Sequence, residues 1–154
     1  MNDSTRVGAL GRPVLYLMLA GALTLVAACY SASYRKEMAA GVDLLSGLAG
    51  KLADYSNAGF KIGDRRVSSE EMGEFYYALG KAQAVKAMWR SQAQRPSYRD
   101  FSTLLEQYEA FLHSADQYRI GGRIEPLELT ALIAQGDAVT KTASRVRAEL
   151  ASEK

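Results

Sequence analysis

Apolar residues recur at helical spacing along most of the chain after residue 35. In the first such segment they are three or four residues apart up to Tyr55, and Asn57-Ala58-Gly59 then interrupts the pattern. This spacing places them on one face of a helix. The positions are Met38, Val42, Leu45, Leu48, Leu52 and Tyr55. A first amphipathic helix is therefore predicted to end near residue 57.

Three later segments repeat the pattern. Ser68 and Glu71 have the spacing of a capping box at the start of the second segment. Gly121-Gly122 ends the third, and Pro126 suits the first turn of the fourth. The apolar positions are Met72, Phe75, Leu79, Ala82, Val85 and Trp89; then Tyr98, Phe101, Leu105, Tyr108, Leu112 and Ala115; then Leu129, Leu132, Gly136, Val139, Ala143, Val146 and Leu150.

Four amphipathic segments with short connections predict an all-α protein, an antiparallel four-helix bundle with up-down-up-down topology. No stretch alternates apolar and polar residues, so no strand is expected. Two connections resemble each other, Lys61-Ile62-Gly63-Asp64-Arg65 and Arg119-Ile120-Gly121-Gly122-Arg123. They indicate either two copies of one helical hairpin or a chance similarity of turn sequences.

The N-terminal residues have the features of a secretory signal. Arg6 and Arg12 precede an uncharged apolar run from Val14 to Ala28 that ends in small residues. The sequence Leu25-Val26-Ala27-Ala28-Cys29 resembles the lipobox of bacterial lipoproteins. That resemblance implies that residues 1–28 are a cleaved signal peptide, that Cys29 is lipid-modified, and that residues 29–154 form the bundle domain. Tyr30, in place of the Asp that retains many lipoproteins of this class at the inner membrane, favours the periplasmic face of the outer membrane.

A retained transmembrane helix is the alternative. Within residues 13–34, the stretch from Val14 to Tyr34 gives 21 uncharged residues before Arg35-Lys36, and about 20 suffice to span a bilayer. Basic residues flank this segment on both sides, so the distribution of charge does not indicate whether the segment is a cleaved signal peptide or a retained transmembrane helix. Both interpretations tether the rest of the chain to a membrane, outside the cytoplasm.

Composition excludes several classes of function. The 19 basic and 17 acidic residues nearly balance, which argues against a protein that binds nucleic acid through a large basic surface. A single Cys excludes an intramolecular disulfide or a Cys-x-x-Cys site. His113 is the only histidine and lies beside the apolar stripe rather than on it, so no metal site is expected. The chain has no recognisable catalytic motif, and we expect neither an enzyme nor a cofactor.

Two groups of residues are candidates for binding a partner. The second segment is apolar or small on the side opposite its core stripe, at Gly73, Tyr77, Gly80 and Ala84. A helix that is apolar on two faces is either central in its bundle or covered by a partner. The second group is Arg65, Arg66 and Arg123, which an up-down-up-down bundle brings to one end. These arginines are either a surface for an acidic partner or ordinary solvated turn residues.

These observations favour a non-enzymatic, membrane-tethered envelope protein, an accessory or scaffold subunit that binds another envelope protein. Two alternatives stay open. A retained anchor would make the chain a single-pass subunit of an inner-membrane complex. A gap between the helices would make the bundle a binder of a hydrophobic small molecule or lipid.

Overall fold

A computed structural model describes the backbone of residues 11–153 and the side chains of residues 28–153. The chain divides into two compact units, the first ending at Arg35 and the second beginning at Lys36. The predicted signal peptide lies almost entirely outside the residues whose side chains are described. All contacts reported below belong to the second unit.

Helices account for most of the described chain. The elements are α1 (Gly11–Asn57), β1 (Lys61–Ile62), β2 (Arg65–Arg66), α2 (Ser69–Met88), a 3-10 turn (Arg90–Gln92), α3 (Pro96–Gly121) and α4 (Pro126–Ser152). In the second unit the four helices pack against one another, which confirms the predicted all-α bundle. The predicted capping box is present, because Ser68 accepts from the amide of Glu71 while the Glu71 carboxylate accepts from the amide of Ser68.

Contacts between neighbouring helices establish their directions. Near the beginning of the unit, Asp43 of α1 accepts from Arg147, which lies late in α4, at 2.9 Å. Tyr98, at the start of α3, donates to the carbonyl of Lys86 at the end of α2. In each pair an early residue meets a late one, so α1 runs antiparallel to α4 and α2 runs antiparallel to α3.

The other two pairs of neighbouring helices, α1 with α2 and α3 with α4, are also antiparallel. Trp89 follows α2 and donates its indole N–H to Glu37, near the start of the unit, at 3.1 Å. Ser97, at the start of α3, donates from its backbone amide and its hydroxyl to Glu153, which follows α4. The four helices therefore form a closed cycle with up-down-up-down topology.

Most positions of the predicted apolar stripes are buried in the core; the half-buried exceptions are Leu48, Tyr55, Val85 and Leu129. Two phenylalanines of α3 lie against glycines of neighbouring helices, and Phe111 was not among the predicted core positions. Phe101 and Phe111 are fully buried. A Cβ atom on Gly41 of α1 would lie 2.9 Å from Phe101 Cζ, and one on Gly136 of α4 would lie 3.3 Å from Phe111 Cζ. The Phe101 ring thus occupies space that a side chain at Gly41 would need, and the Phe111 ring leaves only a tight fit for a methyl group at Gly136.

The expectation of no strand was wrong for the first connection. β1 and β2 pair antiparallel, with Lys61 opposite Arg66 and Ile62 opposite Arg65. Gly63 opens their two-residue turn with a φ of +61°, as in type II′ turns. Pairs this short show no alternation, so periodicity alone could not reveal them.

The two similar connections differ in backbone structure. Lys61 and Ile62 lie in a strand, whereas the matching Arg119 and Ile120 lie inside α3. The duplication of a helical hairpin therefore stays a prediction that rests on sequence similarity.

Replacing Gly41 by Ala should destabilise the bundle by about 1–3 kcal/mol, because the added methyl group overpacks a fully buried ring. Gly47→Ala is the control. Gly47 is exposed on the same helix, and a Cβ atom there would meet no other group within 4 Å, so this variant should gain about 0.5–1 kcal/mol from helix propensity. Urea unfolding of the full chain measures both. Equal stability of the two variants would contradict the close approach of Phe101.

Candidate functional site

The outward face of α2, defined by Gly73, Tyr77, Gly80 and Ala84, is exposed along its whole length. The core stripe of the same helix, which includes the fully buried Phe75, lies on the opposite side. Tyr77 keeps 68% of its surface exposed, the largest value for an aromatic side chain among the described residues. The structure therefore presents these four candidate residues together on one surface.

The two glycines of this face have no packing role within the bundle. A Cβ atom on Gly73 or Gly80 would meet no other group within 4 Å. Glycine inside a helix costs about 1 kcal/mol relative to alanine. In contrast to Gly41, these positions therefore carry that cost without any compensating contact in the chain itself.

Two adjacent tyrosines of α2 have different surroundings. Tyr76 donates to Asp116 of α3 at 3.2 Å, and burial together with the Asp116 carboxylate raises the pKa of Tyr76. Tyr77 projects away from the bundle, with the amine of Lys81 placed 5.3 Å from its ring centre. Tyr76 thus joins α2 to α3, while the Tyr77 ring remains available for a partner.

The basic candidates do come together at one end of the bundle, as predicted. Arg66 donates to the carbonyl of Gly122 at 3.4 Å, which links the first connection to the second. Arg65 donates from both terminal nitrogens to the two carboxylate oxygens of Glu71, at 2.8 Å each. Both arginines therefore have hydrogen-bond partners within their own chain.

Arg123 differs from the other two. Its side chain is 85% exposed, and its contact is with Glu125, itself 59% exposed, at 3.2 Å. Ion pairs with this much exposure contribute little to stability. Arg123 is accordingly the member of the basic group best placed to meet an external anion.

A groove between α1 and α2 was not anticipated from the sequence. It encloses about 560 Å³ and is mostly apolar, with Glu37 and Lys81 as its charged members. The remaining lining residues are Ala40, Gly41, Leu44, Ala82, Val85 and Met88. In the sequence, the groove could have been inferred from Leu44, a large apolar residue of α1 that lies off the core stripe. In the structure Leu44 is 37% exposed.

Cys29, the predicted lipidation site, is an exposed free thiol. Within the part of the chain that the structure describes, no helix combines the length and the hydropathy needed to cross a membrane. Most of the alternative span over residues 13–34 lies outside the described side chains.

The described residues give no metal centre, since no three His, Cys, Asp or Glu side chains among them form a group able to hold an ion. His113 is exposed and contacts Gln117 at 3.0 Å. Comparison of the chain with known protein families, with curated proteins and with solved structures found no match.

The Arg65 ion pair predicts a specific dependence of stability on pH. The Arg65 guanidinium and the Ser68 amide lower the pKa of Glu71 from 4.5 to about 2. A lowered pKa in the folded state means that the ionised Glu71 stabilises the fold above about pH 4.5 and loses this effect as the pH falls towards 2. Glu71→Gln should therefore weaken the dependence of unfolding free energy on pH in this range.

The matched control is Glu70→Gln, an exposed neighbour in the same helical turn. Urea unfolding at a series of pH values from 2 to 7 measures all three proteins. If Glu71→Gln and the parent chain lost stability in parallel on acidification, the proposed role of the Arg65 ion pair would be refuted.

Proposed function

We propose that this chain is a non-enzymatic accessory or scaffold subunit of the bacterial cell envelope, tethered to a membrane and bound to another envelope protein through the outward face of α2. The observation that carries the proposal is the exposure of Tyr77 between two glycines that the bundle does not use. Aromatic side chains with exposed apolar surface are enriched at protein interfaces. An apolar helix face without a covering element in its own chain fits this role.

The lipid tether is supported by sequence and by exposure. The residues before Cys29 match the lipobox, and the exposed thiol is accessible to a modifying enzyme. With Tyr30 as the next residue, the favoured location is the periplasmic face of the outer membrane. A retained span over residues 13–34 would instead make the chain a single-pass subunit of an inner-membrane complex.

Of the basic group Arg65, Arg66 and Arg123, fewer residues are assigned to partner binding in this proposal than the sequence suggested. Arg65 and Arg66 donate to groups of their own chain. Arg123 is the member that we assign to an acidic group of the partner. No nucleic acid and no cofactor is required.

A second candidate function is the binding of a hydrophobic small molecule or a lipid. The groove between α1 and α2 favours it, because its volume of about 560 Å³ is within the range of ligand sites and side chains such as Leu44, Val85 and Met88 line it. Native mass spectrometry of the purified protein would reveal a co-purified ligand. A ligand-free protein that carries a stoichiometric protein partner would argue against this alternative.

The intact mass of the protein purified from membranes tests the tether. We expect residues 29–154 with two or three acyl chains attached at Cys29, and a Cys29→Ser variant should keep its N-terminal segment and lack the acyl mass. A full-length chain with an unmodified Cys29 would instead establish the retained anchor.

Tyr77→Asp tests the binding surface. Placing a carboxylate at the centre of an apolar contact should lower the yield of chemically cross-linked partner about tenfold or more, with unchanged helical circular dichroism. Leu127→Asp is the control, since Leu127 is 81% exposed at the start of α4, away from the outward face of α2. Undiminished cross-linking of the Tyr77→Asp variant would remove α2 as the contact surface.

A further inference from the structure

The outward face of α2 has the spacing of a coiled-coil seam. Its residues follow one another at alternating steps of four and three, the repeat that keeps one side of a helix against a partner helix. All of them are exposed. The seam consists of Gly73, Tyr77, Gly80, Ala84 and Ala87. The bundle therefore leaves uncovered a second helix-packing surface, opposite the one that α2 uses in the core.

Charges are distributed along α2 with opposite signs at its two ends. Glu70, Glu71 and Glu74 lie in the first half of the helix, and Lys81 and Lys86 lie in the second. Glu74 and Lys81 are exposed and seven residues apart, so they border the seam along the same edge. Glu74 forms an ion pair with Lys51, but its side chain stays 52% exposed. Because a carboxylate can accept from more than one donor, Glu74 can also pair with a lysine of a partner.

This pattern is complementary to itself when two copies of α2 run antiparallel. The midpoint of α2 lies between Ala78 and Leu79. Pairing two helices about this point brings Tyr77 of one copy against Gly80 of the other, so that the ring enters the space which the glycine leaves open. The same register places Gly73 against Ala84. Two-fold symmetry makes each of these contacts twice.

The charges agree with this register and oppose the parallel one. In the antiparallel pair, Glu74 of each copy lies beside Lys81 of the other. A parallel pair would place Tyr77 of one copy against Tyr77 of the other, and the acidic first halves of the two helices would lie side by side. Charged residues that border a seam determine the orientation of the helices.

We infer that the partner bound by the outward face of α2 is a second copy of this chain, in an antiparallel two-fold dimer centred between Ala78 and Leu79. The inference rests on the proposed function in one respect, namely that this face is a binding surface. It differs from the proposed function in the occupant of this face, which is a second molecule of the same protein and not a different envelope protein, and it adds the orientation of that molecule. The cation–π contact from Lys81 holds the Tyr77 ring over the seam before the second copy binds.

Charge exchange between Glu74 and Lys81 tests the dimer. The full chain, purified in detergent under reducing conditions that prevent disulfides through Cys29, should have the mass of a dimer by native mass spectrometry. Glu74→Lys or Lys81→Glu alone places like charges together at both ends of the seam and should raise the dissociation constant about tenfold or more. The double variant restores both pairs, and it should restore the dimer.

Mixing the two single variants gives the sharpest result. Their antiparallel heterodimer has opposite charges at both positions, so it should form in preference to either homodimer. Glu106→Lys and Lys141→Glu are the controls, because they make the same charge changes at exposed positions of α3 and α4 and should leave the dimer unchanged. Circular dichroism checks that every variant is folded.

The outcomes separate this inference from the proposed function. A parent chain that is monomeric at micromolar concentration, or a dimer that neither single variant weakens, would overturn the self-pairing of α2. If the Tyr77→Asp variant still lost a cross-linked product whose mass identifies a different protein, the proposed function would stand and only the identity of the occupant would fall. Loss of neither product would reject both.

Discussion

The bundle depends on how closely α3 approaches its neighbours, and two phenylalanine side chains set that distance. Phe101 packs over Gly41 of α1, where a methyl group would be too close, and Phe111 packs over Gly136 of α4, where a methyl group would fit only tightly. Protein interiors are packed densely enough that one added methyl group is felt. The glycines of α2 have no such packing role, since a Cβ atom on Gly73 or Gly80 would meet no other group within 4 Å, and the outer side of α2 is exposed.

Polar contacts at both ends of the bundle also hold together the helices that pack in the core. At one end, Glu153 accepts from the backbone amide and the hydroxyl of Ser97, and Arg95 adds an ion pair at 3.2 Å. The last residues of the chain thereby satisfy donors at the start of α3 that have no partner within the helix. At the other end, Arg65 holds Glu71 in the first turn of α2, where a negative charge also suits the helix dipole. Two of the three arginines that looked like a binding surface in the sequence therefore donate to groups of their own chain.

Periodicity was sufficient to predict the four helices of the bundle, because each buries a stripe of apolar residues with a strict spacing. Ser68 and Pro126 also marked helix starts correctly, since capping is a local property. The groove escaped prediction because it depends on how α1 and α2 lie in space. The ion pair of Arg65 with Glu71 escaped it because it depends on the conformation of the short connection between β2 and α2. Phe60 escaped it for a different reason. It is a buried residue with a φ of +55°, a conformation that residue type alone does not indicate.

The only tryptophan of the chain joins two helices. The Trp89 indole is 5% exposed and donates to Glu37 across the gap between α1 and the end of α2, next to the groove residue Met88. Indole emission moves to longer wavelength when the ring passes from an apolar environment into water. The tryptophan emission of this protein, excited at a wavelength where its nine tyrosines absorb little, therefore comes from a single site. It reports without any label whether α1 and α2 remain together.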